Sequence, residues 1–348
     1  MGKYICTGNW ETMNIFKLEG QLELESGSVL SGVEVAYTMY GTLNPQKDNV
    51  IWVCHALTAN ALPEEWWPGL VGVGKLMDPN KYCIICVNIL GSCYGSTFAG
   101  SIDPNTRNQY GDRFPLVTVR DHVQVLKKMR TYLEIDRITL LIGASLGGQH
   151  VLEWAIEEPF VFDRIGLLAT NAKHSPWGIA FNEAQRMAIH ADPTLYEDRP
   201  DRGWKGLAAA RAIAMLSYRN YRTYQLTQLD SDERIDMFKA ASYQQYQGEK
   251  LCKRFHPWAY LTLSKMMDSH DVGRGRGGIE QALGQIRAKT MVVGIESDFL
   301  FPLLEQQFLA REIPGAFLKV LNSKYGHDGF LIEYEILTEI LGEFLSEE

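Results

Sequence analysis

Cysteine is scarce in this chain, with six residues among 348. So few thiols in so long a polymer do not make a disulfide framework, and we expect them to be reduced, buried filler. Cys83-Ile84-Ile85-Cys86 does spell C-x-x-C, but inside an apolar strand its two thiols point to opposite faces, which excludes a redox pair. Long apolar runs are missing too: nothing approaches the roughly 18 consecutive apolar residues of a membrane span. Met1–Cys6 leads into no apolar stretch or small-residue cleavage site, and Cys6 breaks the myristoylation pattern, so a cytoplasmic protein is the expectation. Basic charge is in deficit, with 34 Lys and Arg against 42 Asp and Glu. A net charge of −8 argues against non-specific binding of nucleic acid. None of the eight histidines falls into H-E-x-x-H or another ligand spacing, so no metal site is expected. Repeats and low-complexity tracts are also lacking.

What is present is a globular composition, 46% apolar and 22% charged. Apolar, β-branched runs predict strands at Val50–His55, Tyr82–Leu90, Ile138–Ile142, Arg164–Thr170, Thr290–Ser297 and Phe317–Asn322. Helical spacing falls between several of them, notably over Thr118–Glu134, from Gln149 to Pro159, and over Phe330–Leu345. This alternation implies an α/β protein with a mostly parallel central sheet. Residues 171–284 carry no strong strand pattern, and Gly206–Tyr218 reads as a helix. We therefore expect one core from residues 1–170 and 285–348, with 171–284 as a helical cap or lid insertion.

The most informative segment is Gly143-Ala144-Ser145-Leu146-Gly147. It spells G-x-S-x-G between a buried strand and a helix, a turn so tight that the flanking positions need glycine. Ser145 becomes the candidate nucleophile. A serine hydroxyl needs a base, and the base needs an orienting partner. Asp298 follows the strand Thr290–Ser297, and His327 lies in the turn Tyr325–Gly329 after the next strand, giving the order Ser, Asp, His. Each has a plainer alternative: Asp298 as a helix cap near Pro302, His327 as a polar turn residue. The oxyanion formed at Ser145 needs backbone donors, for which Leu146 and Leu57 are the candidates. His55 belongs to the same loop as Leu57 and is read as structural. Gly273-Arg274-Gly275-Arg276-Gly277-Gly278 formally matches G-x-G-x-x-G, but no buried strand precedes it, which argues against a dinucleotide site.

Taken with His55-Ala56-Leu57-Thr58, Asn88-Ile89-Leu90-Gly91, Gly95-Ser96-Thr97, Tyr110–Pro115, Gln185-Arg186, Ala210-Arg211 and Gly326-His327-Asp328, the chain resembles the homoserine O-acetyltransferases of the α/β-hydrolase superfamily. The resemblance covers nearly the whole length. It implies an α/β-hydrolase fold and an acyl-serine intermediate that carries acetyl from acetyl-CoA to L-homoserine, at the start of methionine biosynthesis. It further implies that Arg211 binds the acceptor carboxylate, that Asp328 binds its ammonium, and that Thr58 lies in the substrate site. No permanently bound cofactor and a homodimer are implied as well. Arg274 and Arg276 are candidates for the CoA phosphates. Two departures fall near the acyl pocket: Thr97 is followed by Phe98-Ala99-Gly100-Ser101 where the family often has Gly-Pro-Ser, and Ala59 replaces a common glycine. Succinyl-CoA as donor, serine as acceptor, an esterase or thioesterase, and a non-catalytic binding protein of the same fold are the competing readings.

Overall fold

A computed structural model of the protein describes residues 13–346. Cys6 and the rest of the N-terminal segment fall outside the described residues. The strands are β1 (Asn14–Lys17), β2 (Gln21–Glu23), β3 (Val29–Ser31), β4 (Glu34–Tyr40), β5 (Val50–Cys54), β6 (Cys83–Val87), β7 (Ile138–Ala144), β8 (Phe162–Leu168), β9 (Lys289–Ile295) and β10 (Phe317–Leu321). Eight of them form one sheet in the order β1-β4-β6-β5-β7-β8-β9-β10, while β2 and β3 pair separately. From β6 to β10 the neighbours run parallel, and β1 and β4 join antiparallel at one edge.

All six strands expected from sequence are present, with ends shifted by a few residues. The N-terminal strands β1 to β4 were not anticipated: β1 to β3 have three or four residues, too short to show a period, and the seven-residue β4 is buried at four consecutive positions and so shows no alternation. Alternation along the buried strands divides the core into two. Trp52, Cys83, Ile85, Leu141 and Val292 pack on one face of the sheet, and Ile51, Ile84, Cys86, Leu140 and Val293 on the other. Cys83 and Cys86 thus belong to opposite cores, and the five described cysteines are all buried, with no disulfide between any two of them.

The helices that cover these faces are α1 (Pro63–Trp66), α2 (Val119–Tyr132), α3 (Leu146–Glu157), α4 (Pro176–His190), α5 (Trp204–Tyr218), α6 (Tyr221–Thr227), α7 (Lys239–Cys252), α8 (Pro257–Asp268), α9 (Ile279–Leu283), α10 (Leu303–Glu312), α11 (Gly329–Ile332) and α12 (Tyr334–Ser346). Helix α2 begins at a full capping box, with Thr118 Oγ1 accepting from the Asp121 amide and the Asp121 carboxylate from the Thr118 amide. The single C-terminal helix expected over Phe330–Leu345 is broken at Glu333, whose backbone leaves the helical region at φ −82°, ψ 56°. That break lets the Tyr334 side chain settle on Gly69, where a Cβ would come within 2.4 Å of it.

Between β8 and β9 the described chain supplies helices α4 to α9 and no strand of the sheet. It leaves and returns through a narrow neck: Lys173 and Asp271 form an antiparallel bridge, the His174 amide donates to His270 O at 3.0 Å, and the Val272 amide donates to Ala172 O at 3.0 Å. The glycine-rich stretch after Asp271 is an ordered series of turns with left-handed Gly275 and Gly277, tied back by the Arg276 amide to Gly273 O.

Candidate active site

Ser145 is the residue between β7 and α3, and its backbone is held at φ 56°, ψ −125°. Left-handed φ at a residue with a side chain is strained by about 1–3 kcal/mol and persists only where the surroundings over-determine it. The surroundings are close. A Cβ on Gly147 would fall 2.1 Å from Cys54 O, one on Gly143 would meet Gly147 C at 2.5 Å, and one on Gly148 would meet the Thr170 side chain at 2.6 Å. The G-x-S-x-G-G pattern is therefore a packing requirement of the turn. The Ser145 amide donates to Leu168 O at 3.0 Å, and its carbonyl accepts from Thr170 Oγ1 at 2.9 Å.

Successive hydrogen bonds carry the same sheet edge outward. The Ala169 amide donates to Val293 O at 2.9 Å, and the Glu296 amide donates to Leu321 O at 3.2 Å. The loops after β7, β8, β9 and β10, with Ser145, Asp298 and His327, therefore leave the carboxyl ends of adjacent strands. Asp298 and His327 are in contact: His327 Nδ1 lies 2.6 Å from Asp298 Oδ2. The other carboxylate oxygen accepts the amides of Leu300 at 2.9 Å and Phe301 at 3.0 Å. A carboxylate so held fixes the imidazole as the Nδ1–H tautomer and leaves Nε2 as the proton acceptor. The ring stacks on Phe301, centroids 5.0 Å apart, and meets Phe330 edge-on at 5.3 Å. Ser145, Asp298 and His327 are each 4–5% exposed. Among the described residues no hydrogen bond links the Ser145 hydroxyl to His327, a contact that in such sites tightens when substrate is bound.

The two oxyanion candidates adjoin. Leu146 opens α3, where backbone amides lack helical partners, and Leu57 lies in the turn closed by the Ala59 amide on Ala56 O. The close approach of Gly147 to Cys54 O brings these segments together. Neither amide donates a hydrogen bond among the described residues. His55, in the same loop, is buried and structural in its contacts: its Nε2 accepts the Ile89 amide at 3.1 Å. Burial pushes it down to about 4, so it is neutral near pH 7.

Tyr218 has Arg211 and the His327 ring as neighbours. The Arg211 guanidinium lies 5.4 Å from the Tyr218 ring centre, and the Tyr218 ring centre lies 5.8 Å from that of His327. Asp328 is buried beside His327, and burial pushes its carboxyl up while Arg219, Arg211 and His327 oppose that shift. Sequence reasoning missed Arg219, whose Nε lies 3.0 Å from Asp328 Oδ2. Nothing in its spacing marks it; only its place as the C-cap of α5 carries it to the histidine turn. Thr58 contributes its carbonyl to Arg254 Nη1 at 2.5 Å, and the same nitrogen donates to the Tyr94 hydroxyl at 2.7 Å.

Arg274 and Arg276 lie elsewhere and are already engaged. Arg274 pairs with Glu25 at 2.9 Å, and Arg276 pairs with Glu153 and, at 3.3 Å, with Glu157. Both guanidiniums fasten the turns at 271–278 to the core. Among the described residues no group of three or more His, Cys, Asp or Glu side chains converges as a metal would require, and no helix is long and apolar enough to cross a membrane.

Residues 49–334 match the family model of the alpha/beta hydrolase fold. A homoserine O-acetyltransferase from Cyclobacterium marinum is 48% identical over 97% of this chain and 96% of its own length. Among solved structures, a homoserine O-acetyltransferase from Staphylococcus aureus superposes with a TM-score of 0.81 at 28% identity, covering 97% of this chain and 96% of that one. The acetyl esterase MekB superposes with a TM-score of 0.84, also at 28% identity, covering 96% and 97%. Shape alone therefore does not separate transfer from hydrolysis, whereas sequence likeness along almost the full length of both chains does. On that ground the chain belongs to the homoserine O-acetyltransferase family of the α/β-hydrolase fold.

Proposed function

We propose that the chain transfers acetyl from acetyl-CoA to the hydroxyl of L-homoserine, the step that opens methionine biosynthesis. Full-length likeness to the Cyclobacterium marinum enzyme carries this reading. Ser145 Oγ attacks the thioester carbonyl while His327 Nε2 takes its proton, with Asp298 holding the imidazole. The oxyanion is received by the amides of Leu146 and Leu57. Collapse breaks the carbon–sulfur bond, and the CoA thiol leaves with the proton from His327. In the second half, His327 takes the proton of the homoserine hydroxyl, whose oxygen attacks the acetyl-serine; O-acetyl-L-homoserine leaves and Ser145 regains its proton.

Arg211 and Asp328 are the charges that recognise an amino acid, one for its carboxylate and one for its ammonium, and Thr58 lines the loop between them and the oxyanion donors. The helices of 171–284 act as the cap that keeps water from the acyl-serine. We assign the protein to the cytoplasm, a reading supported by five described cysteines that are buried with no disulfide between any two of them. The working unit is taken as a homodimer; exposed Leu216, Tyr221, Leu226, Leu229, Ile235 and Met237 on the insertion supply an apolar surface that suits one.

A panel of acetyl-CoA and succinyl-CoA against homoserine, serine and water, following released thiol and acylated product, tests the assignment. Thiol release from acetyl-CoA should depend on homoserine. Release at the same rate without any acceptor would instead establish a thioesterase.

A further inference from the structure

Asn171, the third residue after β8, is 2% exposed and bonded in three directions. Its side-chain oxygen accepts from Gln149 Nε2 at 3.0 Å, in the first turn after Ser145. Its side-chain nitrogen donates to Glu305 Oε2 at 3.0 Å, in the first turn of the helix that follows Asp298. Its backbone carbonyl accepts from His270 Nε2 at 3.1 Å, on the returning side of the neck. Thr170 doubles the arrangement: its hydroxyl holds Ser145 O at 2.9 Å, and its carbonyl accepts from Gln306 Nε2 at 2.7 Å. Two consecutive residues thus join the elbow, the helix after the triad acid, and the root of the helical insertion. Burial pushes the Glu305 carboxyl up to about 7, with the charge of Asp298 acting in the same sense, so this contact sits close to the triad acid electrostatically as well.

A strained nucleophile turn needs external bonds to hold it, and these are the side-chain bonds that reach it from the insertion's root. We propose that Asn171, with Thr170, is a positioning residue that locks the Ser145 turn to the Asp298 loop and makes that register depend on the seating of the helical insertion. Given the acyl-serine chemistry proposed above, on which this inference rests, loosening the relay slows acylation and admits water to the acyl-enzyme.

The test is a polarity swap. Assayed at alkaline pH, where Glu305 is ionised, Asn171→Asp sets a carboxylate against Glu305, while Asn171→Asp with Glu305→Gln restores a donor and acceptor in the reverse sense. The single variant should lose about tenfold or more in kcat, a typical result of small misplacements remote from the chemistry, with KM for acetyl-CoA unchanged. It should also hydrolyse a larger fraction of its acetyl-enzyme, and the double variant should recover both properties. Wild-type kcat and partition in Asn171→Asp, or a loss that the double variant fails to recover, would overturn the proposal. If Asn171→Asp does not fold, Thr170→Val decides: lowered kcat with raised hydrolysis supports the relay, and wild-type values refute it. A burst of p-nitrophenol from p-nitrophenyl acetate reports Ser145 acylation without homoserine or CoA. Wild-type protein that bursts but never transfers would retire the acetyltransferase reading while leaving the effect of the relay on acylation measurable.

Discussion

The carbonyl oxygen of Cys54 occupies the space a Cβ on Gly147 would need, 2.1 Å from where that atom would sit. The obstacle is backbone, which cannot rotate aside as a flexible side chain could. Gly147→Ala should therefore pry the loop of Leu57 from the start of α3, parting the two amides assigned to the oxyanion. Loss of one such donor slows comparable enzymes by about 10²–10³-fold. We expect the p-nitrophenol burst to fall at least that far, and a variant that bursts at the parental rate would separate this contact from oxyanion binding.

Arg219 pairs with Asp328, the group proposed to hold the acceptor's ammonium. Removing it with Arg219→Ala takes away a charge that opposes the burial-driven rise of the Asp328 carboxyl. More of Asp328 is then protonated as pH falls, and less is available for a substrate ammonium. KM for homoserine should rise roughly tenfold at mildly acid pH and less at alkaline pH, while the acylation burst is unchanged. Steady-state KM at several pH values, beside burst kinetics, checks both halves; an unchanged KM at every pH would remove Asp328 from ammonium recognition.

Five buried histidines and the partly buried His256 are held in neutral form. Burial pushes His55, His174 and His256 down to about 4, His150 and His270 down to about 3, and His122 well below 6.5. The unfolded chain takes up protons at these sites as pH drops below about 6.5, whereas the folded chain does so only near 3–4. Stability is thus complete above 6.5 and lost progressively on acidification through that window, by about 1.4 kcal/mol per pH unit for each such site. Thermal melts between pH 7 and pH 4 should show Tm falling steeply, and His150→Gln should flatten the slope. A Tm constant across this range would contradict the buried neutral state.

Thr118→Ala removes the hydroxyl that caps α2. The expected loss is about 1 kcal/mol of unfolding free energy, read as a lower urea midpoint with unchanged slope. kcat should be unaltered, since α2 bears none of the groups assigned to the chemistry.

The parts of the fold legible in the sequence were those with a strong local signal. β5 and β6 are unbroken apolar runs, β7 and β9 are mostly apolar, and the elbow needs its glycines in fixed places, so Ser145 could be read without coordinates. Asp298 and His327 were readable because each follows a strand, and strand ends are where a parallel sheet presents side chains. Arg219, Arg254, Asn171 and Glu305 carry no such mark. Their partners are distant in the chain, and ordinary polar residues gain meaning only when folding sets them together. The same blindness hid the ion pairs of Arg274 and Arg276, which are held by Glu25 and Glu153, residues far upstream.

The bridge between Lys173 and Asp271 has one more consequence. Because the excursion begins and ends at a single pair of residues, the sheet closes over the gap as though the intervening chain were a pendant. Helices within that pendant can lengthen, shorten or exchange side chains without altering strand order beneath them. Side chains carried by that pendant, Arg211 among them, can vary while the strands keep their order, provided the root at Asn171 keeps its bonds to Gln149 and Glu305.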